Sequence, residues 1–152
     1  PWLGFPKPDS WLSFGGQYGF YLALGTGVAL YVTSGTSLNQ LAGALSLLPA
    51  ILFFAALNAL SEELIYRSAV MGTLAGAVGI QQASWLSATL FGIAHFWGVP
   101  SGWPGVLLAA FIGWFLAKAM RETRGLFWPW WMHFLLDVAI LSFVAADSIS
   151  VG

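Results

Sequence analysis

Residues 48–67 read LPAILFFAALNALSEELIYR, an apolar run that ends on Glu62, Glu63 and Arg67. It belongs to a longer apolar pattern over residues 41–79. As one straight helix, those 39 residues would measure about 58 Å, nearly twice the ~30 Å hydrocarbon core of a bilayer. A membrane helix of that length is expected to break, and the break is placed after Arg67. The result is a crossing over 41–63 and a short interfacial helix over 68–79, rich in Gly and Ala.

Composition supports a bilayer setting for this stretch. Of 152 residues, 59% are hydrophobic and 7% charged, where a soluble domain carries about 25% charged residues. The expected fold is all-α, a polytopic transmembrane helix bundle forming one domain over 1–152. Five crossings are read at 16–33, 41–63, 83–97, 104–120 and 130–146, divided by Gly, Pro, Ser and Gln. A net charge of −1 leaves no basic surface for nucleic acid. The absence of Cys excludes disulfide scaffolds, thiolate metal sites and cysteine nucleophiles. Residues 1–6 show no basic region before an apolar run, so no signal peptide is expected there. With the N-terminus in the cytoplasm and the C-terminus outside, Lys7, Arg67, Lys118, Arg121 and Arg124 all face inward, as basic residues flanking membrane spans prefer. Trp2, Trp11, Trp97, Trp103, Trp128 and Trp130 fall near span ends and read as interfacial anchors.

Six ionisable side chains remain in or against apolar helix: Glu62, Glu63, Arg67, His95, His133 and Asp137. A charge at the centre of a membrane helix costs roughly 2.5–3.5 kcal/mol, so unpaired placement of the four charged ones would be prohibitive. Glu63 and Arg67 stand at i, i+4 with the acid first, the favourable order for a helical ion pair. Glu62 points about 100° away from Glu63 and needs a partner from another helix. His133 and Asp137 are again at i, i+4, so the carboxylate is expected to accept the imidazole N–H and fix its tautomer. Phe91, four residues before His95, offers only packing. Counted at about 1.5 Å per residue from the cytoplasmic ends, His95 lies ~18 Å deep, Asp137 ~11–14 Å, His133 ~5–8 Å and Glu62 near the end of its span, so the cluster needs helix tilt to close.

A glutamate, two imidazoles and a second carboxylate are the parts for activating water on an acyl carbon. Glu62 would take the proton, His95 would hold the water and His133 would donate to the oxyanion of the tetrahedral intermediate. Glu62, His95 and His133 could also supply three ligands to Zn²⁺, but no His-Glu-x-x-His helix is present, and no cofactor is expected. A serine mechanism lacks a Gly-x-Ser-x-Gly elbow, and Ser61 reads as a polar helix residue.

Three motifs, Ser61-Glu62-Glu63-Leu64-Ile65-Tyr66-Arg67, Phe91-Gly92-Ile93-Ala94-His95 and His133-Phe134-Leu135-Leu136-Asp137, occur in that order. They resemble Glu-Glu-x-x-x-Arg, Phe-x-x-x-His and His-x-x-x-Asn/Asp of the CAAX protease and bacteriocin-processing (CPBP, or Abi) family, over a core of about 45–144. Residues 123–129, TRGLFWP, are similar to the family's turn into its last motif helix. The resemblance implies an intramembrane glutamic endopeptidase acting on a membrane-associated peptide or protein, its site opening to the cytoplasm of a prokaryotic membrane. It implies Glu62 as catalytic glutamate, His95 as water partner, His133 with Asp137 as the oxyanion-stabilising pair, and Glu63 with Arg67 as a supporting ion pair. Because an ionised Asp cannot donate to an oxyanion, Asp137 is expected to orient His133. Two other classes share these residues. One is a non-catalytic immunity or scaffold protein of the same fold; the other is a proton-coupled transporter, for which no inverted repeat is present.

Overall fold

The computed structural model describes residues 11–150. The stretch 1–6, the anchor Trp2, the basic Lys7 and the side chain of Trp11 lie outside what is described. Among the described residues there is no strand. The helices are α1 (Trp11–Ser34), α2 (Leu38–Ala44), a 3₁₀ turn (Leu45–Leu47), α3 (Leu48–Glu63), a π-helix (Leu64–Val70), α4 (Met71–Val78), α5 (Ile80–Ala94), α6 (Gly102–Thr123) and α7 (Phe127–Ser150).

The expected break after Arg67 does not occur. From Leu38 to Val78 the chain stays helical for 41 residues, passing from α3 through the π-helix into the short α4 without a non-helical residue between them. A buried stripe explains the continuity: Ile51, Ala55, Ala59, Glu63, Arg67 and Met71, each four residues after the last, all face inward. Four residues of α-helix turn about 400°, so such a stripe drifts by about 40° at every step. With i→i+5 bonds each residue turns less, and the π-helix keeps Arg67 and Met71 on the face that carries Glu63. An outside donor sits at this segment, since Ser87 Oγ donates to the Tyr66 carbonyl at 2.6 Å. The helix ends at Gly79, whose φ of +83° lies in the left-handed region that glycine tolerates. Ser37 starts the run with a reciprocal capping box to Gln40.

The opposite face of the long helix exposes Leu52, Phe53, Phe54, Leu57, Leu60, Leu64 and Ile65. Apolar side chains in such numbers on one outward face suit lipid and not water. Three helical stretches are long and apolar enough to cross a membrane, Leu38–Val78, Gly102–Thr123 and Phe127–Ile149, and the chain is a membrane protein. The other two expected crossings fall on α1 and α5, which are helical but outside this set. Gly, Gln, Ser and Thr dilute α1, and α5 has 15 residues, about 22 Å. Arg67 is not a loop charge: it is wholly buried, so the expectation of orientation rests, among the described residues, on Lys118, Arg121 and Arg124 around the end of α6. Trp130 has a further tie, because its indole N–H donates to the Ala56 carbonyl at 3.1 Å and joins α7 to α3. Trp97 and Trp103 are largely exposed beside the α5–α6 connection.

Around the site, α7 packs against α1, α2 and α3, while α5 packs against α4 and α6. The contact between α5 and α6 is made close by glycine. A Cβ on Gly92 would stand 2.6 Å from the Val106 carbonyl oxygen and 2.7 Å from Ala110 Cβ, so the helices would have to part. Gly92→Ala is therefore expected to destabilise the fold by about 1–3 kcal/mol, measured as a lower thermal midpoint in detergent. An unchanged midpoint would show that α5 and α6 separate freely.

Candidate active site

Glu62 and Glu63 end α3, and their adjacency sends them in different directions. Glu63 lies on the buried stripe and is 0% exposed, as is Arg67 one turn later. Glu63 Oε2 stands 3.1 Å from Arg67 Nε, the ion pair expected from their spacing, although the N–H and the oxygen are not aligned as a hydrogen bond. The guanidinium also donates from Nη2 to the Gly113 carbonyl of α6 at 3.3 Å and lies over the Phe91 ring, 4.4 Å from its centroid. The charge thus faces a carboxylate, a carbonyl and a π face, while Nε and Nη1 have no hydrogen-bond partner among the described residues.

His133, in the second turn of α7, is held differently from the expectation. Its Nδ1 is 2.9 Å from Glu63 Oε1, and the carboxylate paired with Arg67 accepts that N–H. Asp137 Oδ1 is 3.6 Å from the other ring nitrogen, Nε2, beyond hydrogen-bond reach. Glu63, reached across the α3–α7 interface, therefore fixes the tautomer. The i, i+4 spacing brings Asp137 near the ring without placing it on Nδ1.

His95 caps the C-terminal end of α5, where the chain turns through Gly98 and the cis Val99–Pro100 bond toward α6. Its Nδ1 is 2.7 Å from the Phe91 carbonyl, which can only accept, so Nδ1 carries the proton. Phe91 does more than pack. Its carbonyl fixes His95, and its ring lies against Arg67 and meets His133 edge to face at 5.6 Å.

With both Nδ1 atoms committed, both Nε2 atoms turn toward Glu62. Glu62 Oε2 is 3.7 Å from His95 Nε2 and 3.6 Å from His133 Nε2. That oxygen is buried and accepts no hydrogen bond among the described residues. Glu62 Oε2 and His95 Nε2 thus each present a lone pair beside His133 Nε2, an arrangement that calls for a proton donor among them: a water, or His133 itself as the imidazolium. Among the described residues no group of three or more His, Asp or Glu side chains is arranged to hold a metal ion.

The expected difference in depth is overturned by these distances. Glu62 is not at the end of a span but well inside the 41-residue helix, and His95 sits at the end of a 15-residue helix that reaches the same level. All six singled-out residues are linked by contacts of 3.7 Å or less. One member was missed. Asn58 donates from Nδ2 to Asp137 Oδ2 at 3.1 Å and to Glu62 Oε1 at 3.4 Å. The signal was present: Asn58 is the lone polar residue between Ala50 and Leu60 and stands four residues before Glu62.

A family model described as Rce1-like, type II CAAX prenyl endopeptidase, matches residues 44–139, more than half of the chain and all three motifs. No curated protein and no solved structure matches the chain.

Proposed function

The chain belongs to the Rce1-like family of type II CAAX prenyl endopeptidases, CAAX protease-type membrane peptidases, and from that premise we propose that it is an intramembrane glutamic endopeptidase. It hydrolyses a peptide bond of a membrane-associated substrate with a water activated by Glu62. The observation that carries this reading is the buried, unbonded Glu62 Oε2 set between the Nε2 atoms of His95 and His133. A water about 2.8 Å from both Glu62 Oε2 and His95 Nε2 fits their 3.7 Å separation.

In the reaction, Glu62 takes one proton of the water while His95 Nε2 accepts a hydrogen bond from the remaining O–H and holds the oxygen toward the scissile carbonyl. The water oxygen bonds to the carbonyl carbon, and the carbonyl electrons move to its oxygen. His133, protonated at both nitrogens, donates through Nε2 to that oxyanion, with Glu63 behind Nδ1 to balance the imidazolium. As the C–N bond breaks, Glu62 returns its proton to the leaving amine, so no covalent enzyme intermediate forms. The side bearing Lys118, Arg121 and Arg124 is the cytoplasmic one by the distribution of basic residues.

The test is hydrolysis of a membrane-anchored peptide, prenylated and unprenylated, by the purified chain in liposomes, with products identified by mass spectrometry. The reaction so described needs no metal, and a strong chelator is expected to leave the rate unchanged. Stoichiometric Zn²⁺ whose removal abolishes turnover would contradict the mechanism. Failure of folded protein to cut either peptide would favour the non-catalytic scaffold.

A further inference from the structure

We infer that Asn58 is a positioning residue of this site, holding the outer oxygens of Glu62 and Asp137 so that the inner oxygen of each faces His133. This rests on the reading of Glu62 as the base. One amide group serves both acids: Nδ2 is 3.4 Å from Glu62 Oε1 and 3.1 Å from Asp137 Oδ2. Its two hydrogens diverge by about 120°, so each carboxylate can take one. Among the described residues neither acid accepts a hydrogen bond from any other donor. The remaining oxygens, Glu62 Oε2 and Asp137 Oδ1, are both 3.6 Å from His133 Nε2.

The placement answers a physical difficulty. Two carboxylates directed at one imidazole repel each other, and neither is paired with a lysine or arginine among the described residues. A neutral amide supplies two partial positive charges between them without adding a charge to the membrane. It also ties α3 to α7 at the level of the reacting atoms and fixes which oxygen of Glu62 remains open for the water. An aliphatic residue at 58 would suit the lipid-facing helix equally well, so the amide is explained by the two acids and not by the fold.

The full chain in liposomes is compared with Asn58→Ala, Asn58→Asp and Asn58→Gln for kcat and KM on one membrane-anchored peptide. The same variants are labelled with ¹⁵N-histidine and the His133 Nε2 resonance is followed. Removing the donor is expected to lower kcat about 10- to 100-fold with KM changed less than about twofold, because Asn58 acts through Glu62. Asn58→Asp, equal in shape but lacking the donor, should be worse than alanine, and Asn58→Gln, which keeps an amide, should be better. In an Asp137→Ala background the Asn58→Ala effect should shrink, since neighbours acting together are not additive. A raised KM with unchanged kcat, or full additivity, would overturn the role. If the wild type cuts no peptide, the hydrolase reading fails while the resonance still decides: a His133 shift in Asn58→Asp supports the clamp, and an unmoved resonance overturns it.

Discussion

Glu62→Gln is expected to reduce turnover by at least 10²- to 10⁴-fold while leaving the fold intact. The substitution keeps the volume and one carbonyl oxygen, which can still accept from Asn58. It removes the lone pair that must take a proton from water, and it can place an NH₂ against the Nε2 atoms of His95 and His133. Glu62 is partly exposed and carries no ion pair with a permanent cation among the described residues, so its neutralisation leaves no buried charge stranded. The measurement is the single-turnover rate of peptide cleavage together with the thermal midpoint. An active Glu62→Gln protein would transfer the role of base to another group.

The neighbouring acid should fail in a different way. Glu63→Gln leaves Arg67 fully buried with the Gly113 carbonyl and the Phe91 ring for company, and it deprives His133 Nδ1 of its carboxylate. Breaking a buried pair by removing one partner costs about 3–5 kcal/mol, because the other charge stays in a low-dielectric site. The thermal midpoint should therefore fall sharply, and the rate should fall with it as His133 loses its support. A control separates the two effects. Glu63→Leu combined with Arg67→Met removes both charges, so it should be more stable than Glu63→Gln and still inactive. If the double variant is no more stable than the single one, the loss comes from packing and not from an unpaired charge.

The two glutamates also mark how far the sequence can be read. Glu63 and Arg67 were legible as a pair because their partners lie on one helix at i, i+4, and the structure places them 3.1 Å apart. Glu62 was legible as needing a partner, but spacing alone does not say that α5 and α7 supply His95 and His133. The tautomer of His133 was misread for the same reason: Asp137 is local, whereas Glu63 reaches it across an interface between helices far apart in sequence. The break expected after Arg67 followed from length alone. It fails because a π-helical segment, whose Tyr66 carbonyl is bonded by the distant Ser87, keeps the buried stripe in register. Asn58 carries no charge and so does not stand out beside the ionisable groups, although a neutral amide in an apolar helix needs a partner in the same way.

The central claim is that a water, and not a side chain of the enzyme, attacks the scissile carbonyl while Glu62 moves its protons. Single-turnover cleavage in oxygen-18 water, followed by mass spectrometry of product and enzyme, tests it most directly. The account predicts one heavy oxygen in the new carboxylate of the product, none in the peptide that carries Glu62, and no acylated protein at any time during the turnover. Heavy oxygen in Glu62, or a trapped acyl-enzyme, would contradict it.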